Sequence, residues 1–548
     1  MSGVKQRVAK LTQPSAWVLE PEAATFAPNN KWSNKDMEVV PPHLRTWSSW
    51  DFIAYWLSDA ANVATWNMAS SMLAIGLSWR QVLPAIAVGH FLIAIVITLN
   101  GTIGAQLHVP FPVLNRSSFG FYFAYFSIIS RAILAMFWFG IQTTTGGECV
   151  YQMLKAIWPS IQHLPNHLPE TASITTSAMM CYFLYWLIQL PLLLVPVHKI
   201  RWLFNIKSII VPACWLSMFI WALVKTGGAS GTSIYSQPAT IHGSKAVWAW
   251  FAAMNSALGN FSTLGVNIPD FTRFARSPRA QYTQMLVIPV AFTFFAFIGL
   301  TVTSSGYEIY GKGYLWDPLK LIDQWDNRAA AFFASFSFAL ATVATNIGAN
   351  SISCANDLTA LAPRYINIRR GQVICALIGG WVLCPWEILA SAIGFLTFMG
   401  GYTIVLGPIS AIMIIDYYLV HKKKIDTPSL YRPKGRYRYT AGVNMRALAA
   451  VVLAVPPNLP GLINAINPKI DVGGGVYPYN IAYILGFTIA GAIYYILSIV
   501  FPPTETLLDA PITGEDEVGR KIPSEHDEEG SVDEKKGPNA REDIVEAP

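Results

Sequence analysis

Of the chain's 548 residues, 53% are hydrophobic and 13% charged, and the formal net charge is +6. A soluble chain of this length would divide into several domains with charged surfaces, and so few charges exclude that class. The cations follow apolar segments instead of interleaving with stacking aromatics, which speaks against nucleic-acid binding, and six cysteines without a CxxC pair suggest packing, not metal or redox chemistry.

Residues 1–49 lack an apolar run, so no cleavable signal is expected and the first span serves as the targeting segment. Apolar windows long enough to cross a bilayer then recur as roughly twelve spans. They fall near 50–77, 81–104, 119–155, 174–197, 204–225, 248–271, 282–305, 329–361, 372–389, 391–420, 443–465 and 479–501. Basic residues gather before span 1 and in alternate loops: Lys199, Arg201 and Lys207; Arg273, Arg276 and Arg279; Arg364, Arg369 and Arg370; and the HKKK and RPKGRYR runs at 421–438. By the positive-inside rule both termini are expected in the cytoplasm, which requires an even number of spans. The expected organisation is a cytoplasmic tail (1–49), a core of spans 1–10 (50–420), a basic loop (421–442), spans 11 and 12 (443–501), and an acidic, disordered tail (502–548).

Span 1 is interrupted by LSDAANVATWN (57–67) and span 6 by LGNFSTLGVNIPDFTRF (258–274). Paired interruptions at corresponding places in two halves mark a transporter site, because unwound backbone at membrane depth must bond to protein, water or solute. The halves are then 50–225 and 248–420, an inverted five-plus-five repeat. Close helix packing at Gly259 and Gly265 is the competing reading.

Span 3 carries Trp138 and Gln142 four residues apart, hence on one helical face. An indole face stacks on a flat heterocycle, and a primary amide one turn away meets a ring amide edge. Span 8 places Asn346 and Asn350 at the same spacing. Buried without partners they would be costly; helix contacts explain one of them, and a ligand explains both. Asp59, near the middle of span 1, is an intramembrane carboxylate and a candidate for proton coupling; a bond to the unwound backbone is the alternative. Asp270 and Arg273 stand at the end of span 6, either bracing a gate or ending the helix in water. The chain has no HExxH, no GxSxG and no close His/Cys group, so an enzyme is not expected.

NKDMEVVPPHLRTW (34–47), SDAANVATWNMASSMLAIGLSW (58–79), FPVLNRSSFG (111–120), WFGIQ with GGECV, GNFSTLGVNIPDFTRFA and FMGGYTIVLGPISAIMIIDYYLV together resemble the nucleobase:cation symport-1 family, and within it the fungal Fur-type branch. The resemblance runs in order from about residue 31 to 501. It implies an all-α LeuT-like fold with spans 11 and 12 outside the repeat, and plasma-membrane import of uracil, allantoin, uridine or a related solute with protons. Thiamine or nicotinamide riboside as solute, and a non-transporting sensor, stay open. By the same resemblance Trp138 is a stacking platform, Gln142 and Asn350 ring-binding amides, and Met399 and Tyr402 gate residues. Phe261 stands where the family's bacterial hydantoin transporter has a second stacking tryptophan; Asn260 precedes it at the break. The sodium-coupled relative has two hydroxyls where this chain reads Ala344 and Thr345, which weakens a sodium site and leaves H+, or else Na+, as the coupling ion. No cofactor or metal is expected. The expected partners are the solute, membrane lipids, and trafficking and ubiquitination machinery at the tails, with no nucleic acid.

Overall fold

The computed structural model describes residues 13–20, 32–195, 201–227 and 233–513. The described residues form helices joined by short turns, with isolated bridges such as Trp47 to Ala275 and no strand. The described residues make twelve spans. Span 1 is Ser49–Ala60 with Val63–Ala74, span 2 Trp79–Leu107, span 3 Ala124–Ile157, span 4 Thr176–Leu193, span 5 Arg201–Lys225 and span 6 Gly243–Gly259 with Ser262–Asn267 and Pro269–Thr272. Span 7 is Gln284–Tyr310, span 8 Arg328–Thr345 continuing through Asn346–Ser351 to Leu361, and span 9 Ile368–Leu377 with Ile378–Val382. Span 10 runs from Ala392 to Val420, span 11 is Met445–Ala454 with Leu459–Ile466, and span 12 is Ala482–Val500.

Nine of these are helical runs long and apolar enough to cross a membrane, and the three that fail that length test are spans 1, 6 and 9, whose helices are interrupted. Side chains set many of the starts: Asn327, Asn367, Ser391 and Asn444 each accept a backbone N–H as helix caps. Span 3 begins at Ala124, not 119, because Gly120, at φ 82°, ends a separate buried helix, Phe111–Phe119. Large apolar side chains such as Ile209, Val224, Leu286 and Phe333 are exposed on the outward faces, as a lipid-facing surface requires.

Span 2 packs on span 7 and span 3 on span 8. These are corresponding members of the two halves, the pairing an inverted repeat produces. Spans 10 and 12 pack together, and span 12 holds span 11 outside the repeat.

Both described terminal segments lie at one end of the bundle, hereafter the termini end. The described parts of the expected tails, and the basic loop between spans 10 and 11, are strapped across this end. Arg273 donates to the Asp36 carbonyl at 3.0 Å, Ile368 N–H to the Asp36 carboxylate at 3.1 Å, and Asn34 to the carbonyls of Pro363 and Ile366. The 421–442 loop is folded, with Leu430, Tyr431 and Tyr437 buried and Tyr431 donating to the Met37 carbonyl at 2.9 Å. Thr427 N–H donates to the Ile512 carbonyl and Ile512 N–H to the Ile425 carbonyl, both at 3.0 Å, so the chain around Ile512 is docked on that loop. Short polar segments that satisfy each other's backbone groups need no apolar pattern, so composition gives no sign of this. The remainder of the acidic tail, 514–548, and the N-terminal residues 1–12 and 21–31 lie outside the described residues.

Candidate functional site

The two expected interruptions are real breaks and lie side by side. In span 1 the helix stops at Ala61, and Asn62, extended at φ −133° and ψ 146°, caps the second half by accepting Ala64 N–H at 3.1 Å. In span 6 it stops at Gly259, and Asn260 and Phe261 bridge to Ser262–Asn267. Gly259 is a close-packing position, the competing reading of this break. A Cβ there would lie 2.3 Å from the Met399 carbonyl oxygen of span 10, so glycine permits the close approach, and its own carbonyl accepts bonds from Ser262 and from Tyr402.

Between the breaks lies a cavity with about 40 Å³ for the centres of water-sized molecules, room for roughly three waters. Its wall includes Trp138, Gln142, Asn260, Phe261, Asn350 and Thr345, with Asp59 at one side. Thus the five residues expected to bind substrate and the two expected to couple an ion meet around one space. Gln142 Oε1 and Trp138 Nε1 are buried there without hydrogen-bond partners. Phe261 is braced by Phe292 at 4.4 Å and Trp56 at 5.4 Å between ring centroids.

The two asparagines of span 8 divide their work. Asn346 bonds the Phe139 carbonyl, Thr143 and Gln189 of spans 3 and 4, and so is a helix-to-helix tie. Asn350 lines the cavity and donates to Asn346 at 3.0 Å. They sit in a π-helical stretch, Asn346–Ser351, whose extra residue per turn widens the helix beside the cavity.

Sequence reading misplaced Lys207. Counted among the basic loop residues, it lies inside span 5, 2% exposed, with Nζ donating to Thr345 Oγ1 at 2.9 Å. The Asp59 carboxyl lines the same cavity as that hydroxyl and lies within electrostatic reach of the ammonium, beyond direct ion-pair contact. A carboxylate, an ammonium and a hydroxyl from spans 1, 5 and 8 therefore converge beside the substrate cavity.

At the end opposite the termini, Trp138 is covered by Phe398 at 5.8 Å and Phe395 at 6.3 Å, two span 10 aromatics that sequence reading passed over. Trp316, from the loop between spans 7 and 8, stacks on Phe395. That loop is tied to span 3 by Asp323, which accepts from Gln152 and Lys155, and Asp317 lies beside Glu148 of that span. Burial pushes the Asp317 carboxyl above its ordinary range against the pull of Lys320. The two expected gate residues do not line the cavity. Met399 is fully buried against the span 6 break, and Tyr402 clamps that break through its bond to the Gly259 carbonyl at 2.9 Å. Tyr402→Phe removes the bond to the Gly259 carbonyl, worth about 0.5–1.5 kcal/mol, together with the hydroxyl's approach to Trp138. The expected result is an apparent affinity lowered roughly twofold to tenfold at unchanged surface level, measured by concentration-dependent uptake.

At the termini end Asp270 and Arg273 are buried, which rules out a helix merely ending in water. They are not paired through their side chains: Arg273 reaches the Asp270 backbone carbonyl, while the Asp270 carboxylate accepts from Phe111 N–H and Asn267. Arg131 of span 3 pairs at this end with Asp357 of span 8, and also donates to the Ser353 carbonyl. An arginine read as one apolar-span residue among many gives no sequence sign of that partner.

Residues 39–486 match the family described as permease for cytosine/purines, uracil, thiamine, allantoin. The chain is 37% identical to the allantoin permease of Saccharomyces cerevisiae over 487 residues, covering 86% of this chain and 76% of that one. To the uracil permease of the same yeast it is 36% identical over 488 residues, with the same two shares covered. Among solved structures, Mhp1 in an inward-facing conformation superposes with a TM-score of 0.70 at 22% identity, covering 90% of this chain and all of that one.

Proposed function

Because the chain belongs to the nucleobase:cation symport-1 family of permeases, we propose that it imports a small planar nucleobase-type ring, a uracil- or allantoin-like lactam, by proton symport. The observation that carries the reading is the single cavity at the paired helix breaks, walled by the aromatic faces of Trp138 and Phe261 and by the amides of Gln142 and Asn350. Stacking faces hold any flat heterocycle, and the amides meet its polar edge.

Proton coupling is supported by the Asp59, Thr345 and Lys207 convergence. A hard cation needs several oxygens, and here an ammonium already occupies the Thr345 hydroxyl. Two opposite charges buried together hold each other in place, and neutralising one leaves the other unpaired in a low dielectric. A proton arriving on Asp59 therefore loosens the tie between spans 1, 5 and 8. The aromatic cover of Phe395 and Phe398 acts as the gate at the far end. The Arg131–Asp357 pair, with Asp270, Arg273 and the strapped segment around Asp36, acts as the gate at the termini end. The loop cations support a cytoplasmic termini end, and on this reading the protein is one of the plasma membrane.

The test is uptake into cells lacking their own pyrimidine and allantoin permeases, with uracil, allantoin, uridine, cytosine, hypoxanthine and thiamine as competitors, with and without a protonophore. Accumulation of uracil or allantoin that collapses with the protonophore is expected. Accumulation that follows sodium, or transport confined to thiamine, overturns the reading.

A further inference from the structure

The two amides at the cavity have their polarity set from the backbone. An amide's two ends are told apart only by a neighbour of known polarity. Asn62 accepts Ala64 N–H at 3.1 Å, which only an oxygen can do, so Oδ1 is fixed at that place. Gln142 approaches the same oxygen at 3.4 Å, and the atom that does so must be its nitrogen. Its Oε1 is thereby turned away, buried and without a partner. On the facing helix Asn346 donates to the Phe139 backbone carbonyl at 3.1 Å, which fixes its nitrogen there and its oxygen toward Asn350. Asn350 answers with its own nitrogen at 3.0 Å, leaving its oxygen as its free acceptor.

We infer that Asn62 and Asn346 are positioning residues that set the polarity of the bound ring: they hold Gln142 and Asn350 so that both offer oxygen, and the site selects rings whose edge carries N–H donors, the cyclic imides and ureides. The inference rests on the reading that a nucleobase-type ring occupies this cavity. Shape alone makes no such distinction. Uracil and cytosine have nearly the same outline, but N3 carries a hydrogen in uracil and a lone pair in cytosine. Turning Gln142 to suit cytosine would set its oxygen against Asn62 Oδ1, acceptor facing acceptor, while leaving it unturned faces the lone pair with a buried oxygen.

The experiment is uptake of radiolabelled uracil by the full chain, with unlabelled uracil, hydantoin and cytosine as competitors. In the wild type uracil and hydantoin compete, and cytosine competes about tenfold more weakly or worse, since a site built around a substrate N–H rejects the analogue that lacks it. Asn62→Ser keeps a capping oxygen for Ala64 but is too short to reach Gln142, so that amide turns freely and the uracil-to-cytosine ratio falls toward one. Asn62→Asp keeps an oxygen for both partners and retains the ratio. Cytosine competing as well as uracil in the wild type overturns the inference, and so does a serine variant that transports with the wild-type ratio. Should the serine variant fail to reach the membrane, the wild-type and aspartate ratios decide alone, and a ratio near one in either overturns it. No uracil uptake by the wild type brings down the functional reading and this inference together, an outcome distinct from uptake with a flat ratio.

Discussion

Asp59→Asn is expected to abolish accumulation against a gradient and to lower the amount of protein at the membrane, whereas the double variant Asp59→Asn with Lys207→Gln restores the amount without restoring accumulation. The single change removes the carboxylate and leaves the buried Lys207 ammonium with Thr345 but no counter-charge. Leaving a buried charge without its counter-charge destabilises the fold, by less than the roughly 3–5 kcal/mol of a pair in direct contact. The double variant is neutral on both sides and keeps the hydrogen-bonding shapes, so folding and ring binding recover. What it lacks is a group that takes up and gives back a proton. Counterflow of a labelled ring, which needs binding and alternation but no coupling, is retained; initial uptake between about pH 5 and 8 loses its pH dependence. A double variant that still accumulates, with the wild-type pH profile and protonophore sensitivity, moves coupling away from this triad to the unwound backbone near Asn62.

The parts of this molecule that were legible in the sequence are those that break a local rule. Asp59, Asn62 and Asn260 interrupt apolar runs, and a polar residue where lipid-depth helix is expected stands out one position at a time. Trp138 and Gln142 were legible as a pair because an unbroken α-helix puts residues four apart on one face. Asn346 and Asn350 share that spacing but lie in a π-helical stretch, which no spacing rule anticipates, and only the packing of spans 3 and 4 separates the tie from the ligand-facing amide. Lys207 was misread because a cation near a span boundary looks like a loop cation until the facing hydroxyl of Thr345 is placed. Phe395 and Phe398 are ordinary aromatics in an apolar helix, and their role follows solely from where span 10 crosses Trp138. The strapping of residues 32–47 across the termini end is a matter of backbone bonds between distant segments, and composition carries no trace of it.

Trp138→Ala is expected to take uptake below detection with the protein still at the membrane, and Gln142→Ala to do the same by a different route. Stacking of a base on an aromatic ring is worth about 1–3 kcal/mol by alanine substitution, which alone lowers affinity roughly fivefold to 150-fold. Trp138 also carries the edges of Phe395 and Phe398, so its removal uncovers the cavity at the far end as well as unstacking the ring. The loss should therefore exceed what stacking explains, and Trp138→Phe, which keeps a flat face but a smaller one, should retain part of the uptake. Gln142→Ala leaves Asn62 still satisfied by Ala64 N–H, so the span 1 cap survives and the loss is confined to the ring's polar edge. Because both side chains act on the same bound ring, the double variant should lose no more binding than the worse single variant. Direct binding of labelled uracil to membranes carrying each variant separates these cases. Wild-type affinity in either single variant would place the ring somewhere other than between Trp138 and Gln142.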